Sequence, residues 1–249
     1  MKIALTFDVE RDIPNVLNTY FGTRFGLIKI LKILDDFKIK GTFFCTGNVA
    51  NHLPQYIKLI NHKGHEIGCH GLAHERLSQL NYKDCEKIIE QNKQILEKIC
   101  QDEEIVGFRA PYLKTPNYLF TILKSLGFKY DSSIKTHKLK AQKPKTNKEI
   151  QEFHPNFNII FRLPLLYPSL RNWIFKRELL VLYLHPWEAI KMKTILFSHT
   201  NTLDLLNNAL FRPDRWISTG DMFLSRFKNF LRESLTNKAE FVMLKQLLQ

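Results

Sequence analysis

Short apolar segments alternate with segments of helical periodicity along this chain, and that alternation constrains the fold more than any other feature. Ile3–Phe7 is rich in strand-forming residues, whereas Arg24–Phe37 repeats its apolar residues at helical spacing. Strand-like segments follow at Thr42–Cys45 and Glu66–Cys69, on either side of the helix-like segment Val49–His62. Strand–helix alternation builds parallel βαβ units, so we predict an α/β fold.

The same alternation continues towards the carboxyl terminus. The further strand-like segments are Ile105–Arg109, Phe128–Ile134, Ile159–Leu166, Leu179–His185 and Glu240–Leu244, and the further helix-like segments are Tyr82–Cys100, Tyr118–Leu126 and Asp221–Leu235. About seven strands in a chain of 249 residues favour a barrel over an open doubly wound sheet. No linker or internal repeat interrupts the pattern, so we expect one domain over residues 1–249.

The amino-acid composition and the net charge indicate which classes of molecule the protein can bind. Hydrophobic residues make up 44% of the chain and charged residues 24%, which excludes wholesale disorder. The net charge of +13 is compatible with nucleic-acid binding, but the lysines are dispersed and the chain has no zinc-finger spacing, RNP-type strand or basic recognition helix. We therefore expect no nucleic-acid partner, and we interpret the charge as surface charge.

The first ten residues and the cysteines allow a prediction of the cellular compartment. Asp8 and Glu10 leave no room for the uncharged core of a signal peptide, and the chain has no run of 18 apolar residues. The four cysteines form no CxxC pair, which favours free thiols in a reducing compartment. We expect a cytoplasmic protein without a transmembrane segment.

Polar side chains follow several predicted strands, where a barrel or doubly wound sheet places its functional residues. Asp8 and Glu10 are two positions apart and point to one side in extended backbone, so one could bind a cation while the other handles protons. Alternatively, one of them caps the following turn. His70 and His74 have the i, i+4 spacing that lets two imidazoles on a helical turn reach one metal, although two structural histidines would fit as well.

Two further strand ends carry an arginine and a histidine. A buried Arg109 must pair with a carboxylate, for which Asp8 is the natural partner and Asp131 the alternative. His185 follows the most apolar strand and could act as a general acid near neutral pH, or could be structural.

Taken together, these residues resemble the polysaccharide deacetylase family, also called the NodB homology domain or carbohydrate esterase family 4. Five ordered motifs carry the resemblance, four of them close matches and the Asp/Trp motif partial: Thr6–Glu10, His70 to His74, Arg109–Tyr112, Asp131–Ser133 and Leu182–His185. They run from residue 6 to residue 185. The resemblance implies a distorted (β/α)7 barrel. Segments 142–166 and 194–220 carry no family motif, and we expect them to form loops around its mouth.

The resemblance implies a metal-dependent hydrolase that removes an N-acyl group, N-acetyl first, from an amino sugar in a polysaccharide or glycolipid. Val9 stands where the family has its second aspartate, and Val9 cannot bind a metal. Glu10 is therefore assigned to the metal together with His70 and His74, and Asp8 to the general base, with the reverse assignment as the alternative. Zinc is the first choice of divalent metal for such a set.

Other roles follow from the same resemblance. Arg109 orients Asp8, the backbone N–H of Tyr112 binds the oxyanion, and His185 protonates the leaving amine. Leu182 and Leu184 match positions that line a small acyl pocket. Gly71 replaces a serine or threonine and removes a hydroxyl that stabilises the loop. Trp187 could stack on a sugar ring or pack in the core.

Two rival functions lie within the same scaffold. Val9 is compatible with an inactive, deacetylase-like binding module. A second rival is an amidohydrolase or deformylase acting on a small amide, a ureide or a lipid-linked formamido sugar. The basic excess, together with the apolar run Ile159–Phe175, would also suit a lipid-linked sugar and peripheral contact with an anionic surface at the inner face of a membrane.

Overall fold

The fold is built on a mainly parallel β-sheet. We describe it from a computed structural model, in which residues 1–14, 16–101, 103–134, 146–147, 150–155, 161, 171, 174–199 and 213–248 are described. The strands are β1 (Lys2–Val9), β2 (Thr42–Cys45), β3 (Glu66–Cys69), β4 (Gly107–Phe108), β5 (Tyr130–Asp131), β6 (Thr146–Asn147), β7 (Ile150–Glu152), β8 (Leu179–Leu184) and β9 (Glu240–Phe241). The helices are α1 (Leu27–Asp36), α2 (Gly47–His52), α3 (Pro54–His62), α4 (Tyr82–Ile99), α5 (Leu119–Ser125), α6 (Met192–His199) and α7 (Asp221–Thr236).

The strand order places β1 at the centre of the sheet. The order is β6-β7-β5-β4-β3-β2-β1-β8, and β9 also pairs with β1. All pairings are parallel except the β6–β7 hairpin. Parallel neighbours bring the carboxyl ends of their strands to one edge, so the residues after β1, β3, β4 and β8 share one end of the sheet.

The sheet curls, because residues from distant strands meet across its inner face. Arg109 directly follows β4, and its Nη1 lies 2.8 Å from the Oδ1 of Asp8 on β1. In a flat sheet, two intervening strands would separate β1 from β4 by about 14 Å. The curl therefore creates an interior, as in a barrel, with one end formed by the carboxyl ends of the strands.

Side chains of β1 alternate between this interior and an outer core. Ile3, Leu5, Phe7 and Val9 are fully buried in the outer core, beneath the helices. The residues between them face inwards and become more polar along the strand, from Ala4 through Thr6 and Asp8 to Glu10. A strand buried on both faces in this way is typical of a parallel sheet covered by helices.

Strands β2 and β3 have the bounds that the sequence predicts, whereas the segment Val49–His62 forms two helices instead of one. The break lies at Leu53, whose φ of −137° and ψ of 49° are not helical. Pro54 explains it, because proline disfavours helical backbone in the residue before it and cannot donate a backbone hydrogen bond. Pro54 itself fits the first turn of α3.

The loops expected around the mouth contain regular structure in their described parts. The hairpin of β6 and β7 lies within 142–166, and α6 covers the beginning of 194–220, so both segments are less irregular than predicted. The strand predicted at Ile159–Leu166, and with it most of the apolar run Ile159–Phe175, lies outside the described residues apart from Phe161 and residues 171, 174 and 175.

The amino-terminal end of the barrel is closed by the carboxyl-terminal segment. Glu66, at the start of β3, accepts hydrogen bonds from Thr42 Oγ1 (2.7 Å), Tyr130 Oη (2.7 Å) and the backbone N–H of Lys245 (3.1 Å). Thr42 Oγ1 also accepts from the backbone N–H of Leu244. Every carboxylate oxygen of this buried glutamate therefore has a partner.

Two smaller expectations can be compared with the described residues. All four cysteines are buried free thiols. No helix in the described ranges combines the length and apolar character needed to cross a bilayer.

Candidate active site

Two carboxylates lie side by side at the carboxyl end of β1. Because side chains alternate along β1, Asp8 and Glu10 both face the barrel interior, and they are only 1% and 4% exposed. Val9 lies between them in the outer core. The alternation explains why position 10, and not position 9, shares the face of Asp8.

Two histidines reach these carboxylates from the loop after β3. His70 directly follows β3, and His74 lies four residues later, but the backbone between them is not helical. The helical turn predicted from the i, i+4 spacing is therefore wrong. The loop is held by Glu75, whose carboxylate accepts hydrogen bonds from the backbone N–H groups of Leu72 and Ala73.

Gly71 and His74 have the backbone conformations that turn this loop. Their φ angles are +72° and +66°, in the left-handed region. A Cβ at position 71 would also lie 3.0 Å from Glu75 Oε2 and 3.1 Å from Pro111 Cγ. The left-handed φ and the close approach of Glu75 and Pro111 therefore favour glycine at position 71.

Glu10, His70 and His74 converge. His74 Nε2 lies 2.5 Å from Glu10 Oε2, and His70 Nε2 lies 3.4 Å from both Glu10 Oε2 and Asp8 Oδ2. One ligand atom from each of the three residues lies within 4.8 Å of the others. Among the described residues, no other group of three acidic, histidine or cysteine side chains has this spacing.

The unpartnered atoms of this cluster fit a divalent cation. Asp8 Oδ2, Glu10 Oε2 and His70 Nε2 are buried without a hydrogen-bond partner. Buried polar atoms are normally hydrogen-bonded, so three such atoms in one cluster fit the binding of a cation there. His70 Nδ1 lies 2.8 Å from the carbonyl oxygen of Arg109, which fixes the ring and leaves Nε2 free to bind a metal.

The electrostatics of the cluster favour an ionised carboxylate beside the imidazoles. Burial alone would raise the pKa of Glu10, but the neighbouring His74, His70 and His185 lower it well below its ordinary value. Burial would lower the pKa of His70, but Asp8 and Glu10 raise it overall. Each group thus stabilises the charged form of the other, and a cation could replace the protons.

Arg109 is the central cation of the barrel interior. It is fully buried, and its Nη1 donates to Asp8 Oδ1 and to Thr6 Oγ1, both at 2.8 Å. Its Nε and Nη2 donate to the carbonyl and the hydroxyl of Ser132 at 2.9 and 2.8 Å. The guanidinium holds one oxygen of Asp8 and leaves Oδ2 facing His70.

Asp131, the other acid considered for Arg109, has a different partner. Its Oδ1 accepts from Ser133 Oγ at 2.5 Å and its Oδ2 from the Ser133 backbone N–H at 3.0 Å. Ser133 Oγ in turn accepts from the backbone N–H of Ala110 at 2.7 Å. Burial raises the pKa of Asp131 to about 7 despite these bonds. The Asp131–Ser133 motif thus supports the loop after β4.

His185 lies on the other side of Glu10, at the end of β8. Its Nε2 is 3.0 Å from Tyr183 Oη and 3.6 Å from Glu10 Oε1. The Trp187 ring stacks on the imidazole with 4.7 Å between centroids. Glu188 accepts a hydrogen bond from the His185 backbone N–H, and its Oε2 lies 3.9 Å from Nδ1. The imidazole is therefore held on several sides beside the proposed metal ligand.

Tyr112 forms the opposite wall of the site. Its φ is +59°, inside the short 3₁₀ turn Pro111–Leu113. Its ring contacts the His74 imidazole, with 4.4 Å between centroids. The left-handed backbone at a non-glycine residue is a strained conformation of the kind that clusters at functional sites.

The sequence of residues 1–130, more than half of the 249-residue chain, matches the family model described as "Polysaccharide deacetylase". The chain belongs to the polysaccharide deacetylase family. It is 33% identical over 129 residues to a peptidoglycan deacetylase-like protein of Gibberella zeae, covering 49% of this chain and 38% of that protein. It is 26% identical over 114 residues to a peptidoglycan deacetylase of Helicobacter pylori, covering 46% and 39%. The chain thus spans less than half the length of these relatives.

Solved structures confirm the fold of this polysaccharide deacetylase family member. The family 4 carbohydrate esterase of Streptomyces lividans, in complex with acetate, matches with a TM-score of 0.60 and 14% identity, covering 98% of this chain and 92% of that one. PuuE allantoinase matches with a TM-score of 0.69 and 15% identity, covering 98% and 88%. At these identities the likeness shows the fold alone, the predicted distorted (β/α)7 barrel.

Three further residues of the predicted site are buried in the structure. Leu182 and Leu184 are fully buried in the outer core, on the face of β8 opposite to Tyr183 and His185. Side chains alternate along the strand, and the odd positions face the interior. The role of the two leucines as the lining of an acyl pocket stays a prediction. Trp187 is 3% exposed and stacks on His185, so core packing, the alternative to sugar stacking, describes its position.

Several residues of the site escaped the sequence reasoning. Tyr183 could have been found, because it lies two residues before His185 on the same strand and must share its face. Thr6 could have been found by the same argument from Asp8. Ser132 lies within the Asp131–Ser133 motif, but the motif does not indicate its contact with Arg109. Glu188 has no such signal, since a glutamate next to a turn is common.

Proposed function

We propose that this chain is a metal-dependent hydrolase that removes an N-acyl group, N-acetyl first, from an amino sugar. The observation that carries the proposal is the convergence of unpartnered buried atoms of Asp8, Glu10 and His70 at the carboxyl end of the barrel, with His185 across from them. The family membership supports the same reaction class, because the relatives that match are named deacetylases.

Glu10, His70 and His74 would hold the metal. One carboxylate and two imidazoles are a donor set that suits zinc. When bound, a divalent ion in such a site lowers the pKa of a bound water and polarises a carbonyl group. Retention of all three ligand side chains argues against an inactive binding module, since Val9 is not on the face where a ligand is needed.

Asp8 would act as the general base. Arg109 holds Oδ1, so Oδ2 is the atom available to take a proton from the water that attacks the acyl carbon. The ion pair fixes the orientation of Asp8 without blocking Oδ2. The opposite assignment, with Asp8 as ligand and Glu10 as base, fits less well. Both carboxylates lie 3.4 Å from His70 Nε2, but Glu10 Oε2 also lies 2.5 Å from His74 Nε2.

His185 and Tyr112 would complete the reaction. After water adds to the carbonyl carbon, the backbone N–H of Tyr112 would stabilise the negative oxygen. His185 would then give a proton to the amine nitrogen, so that the carbon–nitrogen bond breaks and a carboxylate and a free amine result. His185 stands beside Glu10 and Tyr112 beside His74, so the two groups flank the proposed metal from different sides.

The test is release of acid from defined substrates by the purified protein, with metal content measured in the same preparation. We expect acetate from N-acetylglucosamine oligomers or peptidoglycan glycans. We also expect about one divalent ion per protein, as a single three-ligand set would bind, and loss of activity on chelation that zinc restores. Hydrolysis of allantoin or a formamido sugar, with intact N-acetyl sugars, would instead favour the amidohydrolase alternative. A protein that neither contains nor takes up metal would contradict the proposal.

A further inference from the structure

A cleft of about 260 Å³ opens beside the proposed metal ligands, and the segment after β1 forms one of its walls. Arg11, Leu17 and Asn18 line this wall, and His74 and Tyr112 line the other. The described lining contains no acidic residue. The cleft therefore combines one basic side chain with access to the site.

The Arg11 guanidinium is oriented but not neutralised. Its Nη1 donates to Asn18 Oδ1 at 2.8 Å, and its Nη2 to the carbonyl oxygen of Ala73 at 3.4 Å. Both acceptors are neutral, and no carboxylate among the described residues makes an ion pair with Arg11. A guanidinium has five N–H donors, so most of them are left to a ligand in the cleft.

The wall that carries Arg11 is preformed. Asp12 is fully buried and accepts hydrogen bonds from Thr19 Oγ1 and from the backbone N–H groups of Phe21 and Gly22. The Asp12 backbone N–H also donates to the Thr19 carbonyl, which closes the loop at its base. A closed loop holds Arg11 in place before a ligand arrives, so less ordering entropy is lost on binding.

A second arginine adds to the positive field on the far wall. The Arg76 guanidinium lies 4.7 Å from the centroid of the Tyr112 ring, on an exposed side chain. A cation over an aromatic face is held in position while its N–H edge stays in water. Arg11 therefore lines the cleft itself, and Arg76 contacts Tyr112, another residue of its lining.

We propose that Arg11 binds an acidic group of the substrate, so that this chain acts on amino sugars that carry a carboxylate or phosphate near the N-acyl group. The inference rests on the proposed function, since it places the acyl group at the metal ligands. Arg11 directly follows Glu10, and its Nη2 contacts the residue before His74. Adjoining substituents of one sugar can therefore meet the metal ligands and the guanidinium together.

The experiment compares the binding of three probes by calorimetry: neutral N-acetylglucosamine, N-acetylmuramic acid and N-acetylglucosamine 6-phosphate. We expect the intact protein to bind one acidic probe about tenfold more tightly than the neutral one, the size expected for one charged hydrogen-bonded contact. The preferred acidic probe identifies the source of the charge. The preference should weaken between low and high salt, because the site is partly exposed.

Arg11→Gln should abolish the preference by raising the Kd of the acidic probe, and Arg11→Lys should keep part of it. Lys58→Gln, an exposed lysine of α3 far from the cleft in the sequence, is the matched control and should keep all of it. Equal affinities for the three probes, or a preference that survives in Arg11→Gln, would overturn the inference.

Acid release from the same probes separates this inference from the proposed function. A binding preference that depends on Arg11, without acyl release from any probe, would support the inference about Arg11 and contradict the deacetylase proposal. Release of acetate from all three probes at equal efficiency, with no effect of Arg11→Gln, would support the deacetylase proposal and overturn the inference about Arg11.

Discussion

The two ends of this barrel each bury a glutamate, and the two differ in their partners. At the amino-terminal end, both oxygens of Glu66 accept hydrogen bonds from Thr42, Tyr130 and Lys245. At the carboxyl-terminal end, Glu10 Oε2 has no hydrogen-bond partner but lies close to two imidazoles. A buried acid with a full set of donors stabilises the fold, whereas one without them is kept for a ligand.

The charges of the two glutamates differ for the same reason. Burial raises the pKa of Glu66, although its hydrogen bonds oppose the shift. Burial acts in the same direction on Glu10, but the neighbouring histidines reverse it and lower the pKa. The surroundings of Glu10 therefore favour its ionised form, which can bind a cation, whereas those of Glu66 do not.

The strongest test of this difference is removal of a proposed ligand. His74→Ala should abolish metal retention and activity together, because a two-residue set remains and a metal site generally needs at least three protein ligands. Metal analysis and acetate release measure the two effects. His62→Ala, an exposed histidine at the end of α3, is the control and should change neither. Retention of metal by the His74 variant would contradict the ligand assignment.

Asp8→Asn should separate chemistry from metal binding. The amide can still accept from Arg109 but cannot take a proton, so kcat should fall by about 10²- to 10⁴-fold while the metal is retained. Steady-state kinetics and metal analysis of the same preparation provide the readouts. If the variant loses metal instead, the roles of Asp8 and Glu10 are reversed.

A substitution at the amino-terminal end of the barrel should change the stability of the protein and not its catalytic rate. Glu66→Ala leaves the donors of Thr42, Tyr130 and Lys245 without their buried acceptor, and we expect a loss of about 2–4 kcal/mol in the free energy of unfolding. Denaturant unfolding measures the loss, and kcat at a temperature where the variant is folded should stay within about twofold of the parent. A large fall in kcat would show that the two ends are coupled.

The smallest expected effect is a change in the pH dependence of stability when Asp131 is replaced. Its folded pKa of about 7 lies above the usual 3.8, so the folded state keeps a proton that the unfolded state loses. The contribution of Asp131 to stability therefore falls as the pH rises from about 4 to about 7, by an amount on the order of a few kcal/mol. In Asp131→Asn this part of the pH dependence should disappear. Unfolding curves at pH 4, 5.5 and 7 would test it, and parallel pH profiles in both proteins would contradict it.

Local signals predicted the centre of the fold well. Strands β2 and β3 have the predicted bounds because each is a short buried run with a glycine next to it or within it. Helix α6 and the β6–β7 hairpin were missed. The apolar residues of α6 have little helical periodicity, and a two-residue strand next to a lysine-rich stretch has no alternation to detect.

The site was predicted by residue type better than by geometry. Glu10, His70 and His74 converge as expected, but through a loop stabilised by Glu75 and Gly71 instead of a helical turn. The alternation of side chains along β8 places Leu182 and Leu184 in the outer core, a position that the motif alone does not indicate. The contacts of Arg109 with Ser132 join the ends of the paired strands β4 and β5, and the sequence does not show which polar groups meet there.

The central position of β1 has a consequence for folding. This strand pairs with β2 on the early side, but also with β8 and β9, which follow about 180 and 240 residues later. Such long-range pairing slows folding because the loops must close before the contacts form. The three proposed metal ligands all lie within the first 74 residues, on or after β1 and β3, whereas β8 begins only at Leu179. The residues of the site are therefore synthesised early, but the barrel that surrounds them closes late.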